Sequence, residues 1–450
     1  TVTMTVMPSA TITATSTPAP TATPVPTIRV DGLVVPDPNF SNPELFTHNN
    51  ANSPIVQFAN AFGINPAEVK FQNPQLISSK DEQQIVVLVT SDISSTKGVN
   101  ESGIPLIVAS KDVYDNWIWS SSSLKNMCAI NGMKCGSTIS GDENYQNPQY
   151  DALILQDFSI LNTGGTSPQS VSNWGLRFEY DYSILAKENN ISFKPGHLFD
   201  PGSHLPDLNT ATKVQITEWM NQWVQDIVSG YPYFDSINFA NEPVGIYGGS
   251  QYWVSDNNAW YWAYQEQWPV EAYGMIYRQL EAKGLEPGED VHLILNLPYG
   301  ARGGEWGYDP QLTIDFMKQI KSQIQAEIGA EAIMDVGIQF HLRDIPQSHD
   351  IWGGPDIRDL DEKTLIEFFN TLGQIGPVHI TEFSVRNVED PEVAMNGVDL
   401  VMSAAIQSGV VKDVVFWEAL KDDDFLFGPQ LQYNPDYYFL LQTLFTNFIK

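Results

Sequence analysis

A (β/α)8 TIM barrel is the fold this 450-residue chain predicts, and three observations predict it. Eight short apolar, strand-like runs recur along residues 121–450, separated by stretches with helical spacing. Two of those runs end on a glutamate, Glu242 within Ser236–Pro243 and Glu382 within Pro377–Ser384. Carboxylates at the carboxyl ends of buried strands belong at the mouth of a parallel barrel. Finally, 42% hydrophobic and 12% aromatic residues suffice for one large core with a smaller unit beside it. A doubly wound open sheet would use the same alternation of strand and helix.

The elements follow in order. Residues 1–28 form a Thr/Pro-rich linker: Thr1 to Thr27 holds ten Thr, five Pro and no charge, so it predicts a disordered, extended stalk. Such a stalk suits an exported unit, secreted or attached to the cell surface. With no signal peptide ahead of it, the sequence reads as a mature or trimmed form. Residues 29–120 predict a small α+β accessory region. Ile85–Thr90 and Ile104–Ala109 are β-branched runs, Trp117–Trp119 alternates, and Ser53–Val69 has helical spacing. Its tryptophans either pack within a sheet or present a platform to a glycan. In the barrel unit, residues 121–450, the predicted strands are Met133–Ser140, Phe158–Thr163, Ser192–Leu198, Ser236–Asn241, His292–Leu297, Asp335–His341, Pro377–Glu382 and Val411–Trp417. Ala211–Val228 and Thr313–Ile328 are among the predicted helices. Cys128 and Cys135 flank a Gly-containing loop and form either a small disulfide hairpin or two buried thiols.

Charge narrows the partners. Acidic residues number 54 against 23 basic, a formal net charge of -31, which repels nucleic acid and anionic lipid surfaces and favours a neutral substrate. No run of 18 apolar residues predicts a membrane span. The seven histidines lack metal-ligand spacing, and Asp422–Asp424 reads as a solvated loop, with loose calcium binding as its alternative, so neither metal nor cofactor is expected. Gly248-Gly249 and Gly303-Gly304 lack the lysine and helix of a phosphate loop, and no Gly-x-Ser-x-Gly elbow occurs. A monomer is expected.

Two carboxylates at one barrel mouth suit glycoside hydrolysis, in which one group protonates the leaving oxygen and the other attacks the anomeric carbon, the two carboxyl groups standing about 5 to 5.5 Å apart in a retaining enzyme. The residues alone support two roles without assigning them, because the order of the pKa values depends on which group is desolvated.

From about Ser123 onward, ordered fragments resemble glycoside hydrolase family 10, the retaining endo-xylanase family of (β/α)8 barrels. The fragments are Phe178–Asp181 with Leu185–Asn190, Pro195–Leu198 with Leu205-Pro206, Asn241-Glu242-Pro243, Gly337–Leu342, Ile380–Glu382, Val415–Trp417 and Tyr433–Tyr438. The resemblance implies that Glu242 is the acid/base and Glu382 the nucleophile, acting on a β-1,4-linked polysaccharide, xylan before others. The chain departs from the family on the second strand, where a Glu-Asn…Lys-Trp motif is replaced by Phe158–Gly165 and then Asn173-Trp174. Gly202 stands where the family has a second histidine. Another β-glycan on the same machinery is therefore an alternative, as is a non-catalytic glycan-binding barrel.

The surrounding residues have readings of their own. Asn241 suits a hydrogen bond to a sugar 2-hydroxyl, or caps the turn after its strand. Gln339 and His341 lie two apart, so both point to one side of their strand, where the imidazole reaches Glu382. His197 is a donor to a sugar hydroxyl or a core histidine, and Trp417 is a floor under a pyranose or a buried plug. Trp174 is a further substrate-binding candidate. Asn296 and Tyr299, with Arg343, His349 and Trp352, are expected to form a second rim. The aromatic segment Tyr247–Tyr273 divides between sugar-stacking rings and packing.

Overall fold

A computed structural model of the chain describes residues 124–139, 147–164, 177–200, 211–247, 250–253, 258–299, 301–303, 307–343, 355–385, 388, 390–417, 427–428, 432–433, 440–441 and 444, together with the N-terminal strands. The stalk up to Thr27, the helical stretch ahead of Val69, and Trp174, Gly202, His349, Trp352 and Asp422–Asp424 lie outside the described residues.

Strands β1 (Ile28–Val30) and β2 (Leu33–Val35) pair antiparallel. Strands β3 (Val69–Phe71), β4 (Gln75–Ser78), β5 (Gln83–Ser91), β6 (Ile104–Lys111) and β7 (Trp117–Ser121) form a five-stranded antiparallel sheet. All three β-like runs read from residues 85–119 fall within β5 to β7.

The barrel unit opens with α1 (Leu124–Ile130) and β8 (Lys134–Thr138), followed by α2 (Pro148–Asp157), β9 (Ile160–Gly164), α3 (Arg177–Glu188) and β10 (Ser192–Gly196). Next come α4 (Lys213–Gly230), β11 (Ser236–Asn241), the hairpin β12 (Val244–Tyr247) and β13 (Ser250–Trp253), α5 (Ala259–Tyr264), α6 (Trp268–Lys283) and β14 (His292–Pro298). A second hairpin, β15 (Ala301–Gly303) and β16 (Gly307–Asp309), precedes α7 (Pro310–Glu327), β17 (Asp335–Leu342), α8 (Glu362–Gly373), β18 (Val378–Val385), α9 (Pro391–Ser408) and β19 (Val411–Phe416). The short pair β20 (Phe427–Gly428) and β21 (Gln432–Tyr433) follows.

The eight strands pair parallel in the order β10-β9-β8-β19-β18-β17-β14-β11. The remaining seam, between β10 and β11, is bridged by backbone hydrogen bonds from Asp235 N to Phe193 O (3.2 Å), Leu198 N to Asn238 O (2.8 Å) and Asn241 N to Phe199 O (2.9 Å). Every predicted barrel strand is present, with ends shifted by a few residues.

Helices cover the outside because their apolar residues recur at helical spacing. In α4 the buried residues are Ile216, Met220, Trp223, Val224, Ile227 and Val228, one stripe down the helix, and a Thr212–Gln215 capping box satisfies its first turn. Facing rings lock helices to strands edge-to-face: Phe193 with Tyr231 at 5.9 Å and Phe239 with Tyr273 at 5.4 Å between centroids. Cys128 of α1 and Cys135 of β8 form a disulfide with Cα atoms 5.8 Å apart, which settles the cysteines as a bridge.

Inside the barrel the strands approach closely over small residues. A methyl on Gly136 would lie 2.7 Å from Ile160 Cβ, and one on Gly337 2.7 Å from Ile294 Cγ2, so only glycine fits at these inward positions. Toward the amino ends of the strands the interior holds a buried ionic relay. Lys194 Nζ lies 3.2 Å from Asp413 Oδ1, and His379 bridges Asp413 Oδ2 (2.7 Å) and Asp335 Oδ2 (3.0 Å). His292 Nδ1 lies 2.8 Å from the same Asp335 oxygen. Burial opposes charge on His379, but the two carboxylates outweigh it and raise its pKa. Burial likewise opposes ionisation of Asp413 and Asp335, but the facing cations hold both below the usual carboxylate range.

Removing one member leaves buried charge unpaired. Asp413→Ala is expected to destabilise the fold by about 3–5 kcal/mol, read as a lower urea midpoint. The pH dependence follows from the shift directions. The raised His379 pKa contributes stability that is present below its ordinary value of about 6.5 and lost as pH rises through the folded value. The lowered aspartates contribute above about 3.9 and lose that contribution as pH falls through their folded values. Wild type and Asp413→Ala should therefore differ most between about pH 4 and 6.5 in denaturation measured across pH.

Candidate active site

At the opposite, carboxyl ends of the strands the register shifts in three places. The irregularities fall between Asn238 and Ala240 of β11, between Ile338 and Gln339 of β17, and between Ile380 and Phe383 of β18. An irregularity of this kind re-aims the side chains that follow it. Here those are Asn241, Gln339 and Glu382, which converge.

Glu382, only 3% exposed, is the centre of that convergence. Its Oε1 accepts from Asn296 Nδ2 (2.7 Å) and Gln339 Nε2 (2.9 Å) and lies 2.7 Å from His197 Nε2, while Oε2 lies 3.0 Å from His341 Nε2. Burial alone would raise its pKa, but the charge and hydrogen bond of His197, together with His341, hold it far below the usual carboxylate range. His197 is correspondingly raised: burial disfavours its cation, and Glu382, Asp200 and Glu242 outweigh burial.

Glu242 follows the last residue of β11 with φ of 40°, the left-handed region that a glutamate occupies only under strain, and its N–H donates to Asn296 O at 3.0 Å. Removal from water pushes its carboxyl up to about 7, helped by the negative charges of Glu382 and Asp200 and opposed by a Gln339 hydrogen bond and by His197. Two carboxyl groups at one barrel mouth are thus driven apart in proton affinity.

Asn241 joins the two sides. Its Oδ1 accepts from Asn296 Nδ2 (2.8 Å) and Gln339 Nε2 (3.0 Å), and its Nδ2 donates to Asp200 Oδ2 (2.9 Å). Trp417 lies with its ring parallel to that of His197, centroids 5.6 Å apart and planes 3° apart, and edge-on to His341 at 6.3 Å. A methyl on Gly164 would strike the Trp417 ring at 2.6 Å, so β9 supports this indole from behind.

Two expectations are corrected. Tyr299 is no rim residue: it is buried, stacked on Phe340 at 4.8 Å and edge-on to Phe368 at 4.9 Å, because the residue after β14 turns toward α8. Asn296 lies beneath the carboxylates rather than at a rim, an inward strand position whose amide hydrogens bond Asn241 and Glu382. Arg343 stands just beyond the carboxyl end of β17, its backbone bonded to Pro355 and Ile357. Within the aromatic segment, Trp260, Tyr264, Trp268 and Tyr273 are packing residues, whereas Trp262 is 53% exposed.

Sequence reading missed three residues. Asp200 follows His197 by three in the same strand-end turn and touches Asn241. Ser384 follows Glu382 by two, hence points the same way, and its Oγ lies 2.7 Å from His341 Nδ1. Thr381 donates to Asn296 Oδ1 and Ile338 O. The spacing of the first two was a readable signal.

No protein-family model and no curated protein matches this sequence. Solved structures do share its fold. One is an endo-1,4-beta-xylanase, XylE, from Penicillium canescens, with 15% identity, a TM-score of 0.55, and 72% of this chain and 98% of that chain covered. A psychrophilic glycoside hydrolase family 10 endo-beta-1,4-xylanase has 14% identity and a TM-score of 0.56 over 71% of this chain and 99% of its own. A family 10 xylanase from Bispora sp. MEY-1, determined with xylobiose, has 16% identity and a TM-score of 0.54 over 71% and 99% of the two chains. The architecture is that of the family 10 barrels.

Because Glu382 supplies much of the field at Glu242, Glu382→Gln should lower the Glu242 pKa below about 7. Carboxyl-carbon NMR titration of the two proteins measures this directly.

Proposed function

We propose that the chain is a retaining β-glycoside hydrolase that cleaves a β-1,4-linked polysaccharide, xylan before others, by double displacement. The observation that carries this reading is the opposed proton affinity of Glu242 and Glu382. One carboxyl keeps a proton near neutral pH while its neighbour stays ionised under four facing donors.

In the first step Glu242 gives its proton to the glycosidic oxygen as a Glu382 oxygen attacks the anomeric carbon. The bond to the leaving sugar breaks and a glycosyl ester forms. In the second step the Glu242 carboxylate takes a proton from water, whose oxygen attacks the same carbon. The ester bond breaks, Glu382 is released as a carboxylate, and one water has been consumed. Asn296, Gln339, His197 and His341 hold the Glu382 oxygens in place through the reaction, so no rearrangement of dipoles is needed as its charge is lost and regained. Asn241, with one amide hydrogen already directed to Asp200, has a second available to a sugar hydroxyl. Trp417 offers an indole face beside His197 on which a pyranose stacks.

A different β-glycan on the same machinery is the second reading, favoured by the missing Glu-Asn…Lys-Trp motif on the second strand. Product profiles over xylan, β-glucan and mixed-linkage glycans separate the two. The enzyme is read as a monomer, secreted or attached to the cell surface through residues 1–28. Among the described residues no helix is long and apolar enough to cross a membrane.

Glu242→Ala is expected to lower kcat by about 10²–10⁴-fold, and azide to restore turnover with a β-glycosyl azide as product. Turnover that survives Glu382→Ala would overturn the nucleophile assignment. In wild type kcat/KM should decline as pH rises past about 7, where Glu242 loses its proton.

A further inference from the structure

The geometry points to Asp200 as a positioning residue for this reaction: a third carboxylate, at the end of the β10 turn, that aims the amide of Asn241, the residue next to the acid Glu242, and faces Glu382 across His197. The inference rests on the hydrolase reading above and extends it to a residue outside the catalytic pair.

Three of its contacts place Asp200. Its Oδ2 accepts from Asn241 Nδ2 at 2.9 Å and lies 3.8 Å from His197 Nδ1, and its backbone oxygen accepts from Trp260 Nε1 at 3.1 Å. The first fixes an orientation. Asn241 Oδ1 receives two N–H groups, from Asn296 and Gln339, so a flipped amide would set an oxygen against the Asp200 carboxylate and an NH2 group against two donors. Asp200 therefore locks Asn241 from the side that the other two donors leave open.

The second contact places His197 between two carboxylates, with Glu382 at its Nε2 and Asp200 toward its Nδ1. The third explains part of the aromatic segment. Phe199 packs edge-on against Trp260 at 5.0 Å, and Trp260 rides on α5, whose first turn is capped by Asn258. The segment that follows Glu242 thus returns to grip the turn that presents Asp200. Its buried rings have a task other than stacking on sugar.

Among the described residues, the charges acting on Glu242 are Glu382 from β18 and Asp200 and His197 from the β10 turn, with neutral Gln339 from β17; His341 acts on Glu382. Of these, Asp200 is the negative charge that takes no part in the covalent step. It favours the protonated acid without competing for the anomeric carbon.

The test compares Asp200→Asn, which keeps an oxygen for Asn241 and removes the charge, with Asp200→Ala, which removes both. Each is followed by carboxyl-carbon NMR titration of Glu242, by thermal melting, and by kcat and KM across pH on xylan. In Asp200→Asn the Glu242 titration and the alkaline limb of kcat/KM should both move to lower pH. A limb displaced by about one pH unit lowers the rate on the alkaline side about tenfold. In Asp200→Ala kcat should fall further at every pH as Asn241 loosens. Trp260→Phe, which keeps an aromatic ring and deletes the N–H to Asp200 O, should reproduce part of the Asp200→Ala loss. A lower melting temperature with the Glu242 titration and the alkaline limb unmoved would overturn the proposal, showing a merely structural carboxylate. The NMR titration needs no substrate. A protein that cleaves no glycan but whose Glu242 titration still moves in Asp200→Asn would refute the hydrolase reading and leave the Asp200–Glu242 coupling standing.

Discussion

Glu382 is a buried anion, and the carboxyl-terminal face of the barrel is arranged around keeping it one. An isolated carboxylate in such a place would take up a proton rather than bear several kcal/mol of desolvation. Here four side chains from the β10 turn, β14 and β17 face its two oxygens within 3.0 Å. Those donors need a closed barrel, because no single element carries more than two of them. The strand irregularities, the inward glycines and the closely bridged seam follow from the demand that distant strands present side chains to one point.

The second carboxyl depends on the first. Glu242 lies in a strained backbone conformation beside a permanent negative charge, and its proton is retained because giving it up would place two anions in one dry cleft. A single arrangement therefore produces an ionised group and a protonated one from two chemically identical side chains. The barrel interior repeats the theme at its other end, where His379 bridges two aspartates with Lys194 beyond. That relay satisfies buried charge locally and is joined by no direct hydrogen bond to the carboxyl-end cluster among the described residues. Buried apolar residues such as Ile160, Ile294 and Val415 occupy inward positions along the same strands.

Much of the strand and helix order was legible because it is written in local pattern. Apolar runs of five to eight residues mark the strands, the stripe from Ile216 to Val228 marks a helix, and Gln339 and His341 face one way because strand side chains alternate. Asn296 and Tyr299 were misplaced for the opposite reason. They are three residues apart, Asn296 within β14 and Tyr299 just after it, and they face opposite ways, one inward beneath Glu382 and the other outward onto Phe340. Spacing gives opposite faces but not the partners, a buried carboxylate on one side and Phe368 of α8 on the other, which packing alone supplies.

By itself the sequence determined the repeating strand-helix order, the placement of Glu242 after one strand and of Glu382 in the carboxyl-terminal half of another, and the acidic balance of the chain, since each is a property of residue identity and short-range period. Tertiary structure alone decided how the two carboxyls are driven apart in proton affinity, that Asp200 touches Asn241 and Ser384 touches His341, and which of the described rings of the aromatic segment are buried. Proton affinity is a sum over charges, donors and lost water brought together from strands up to about two hundred residues apart, and only closure of the barrel sets those distances.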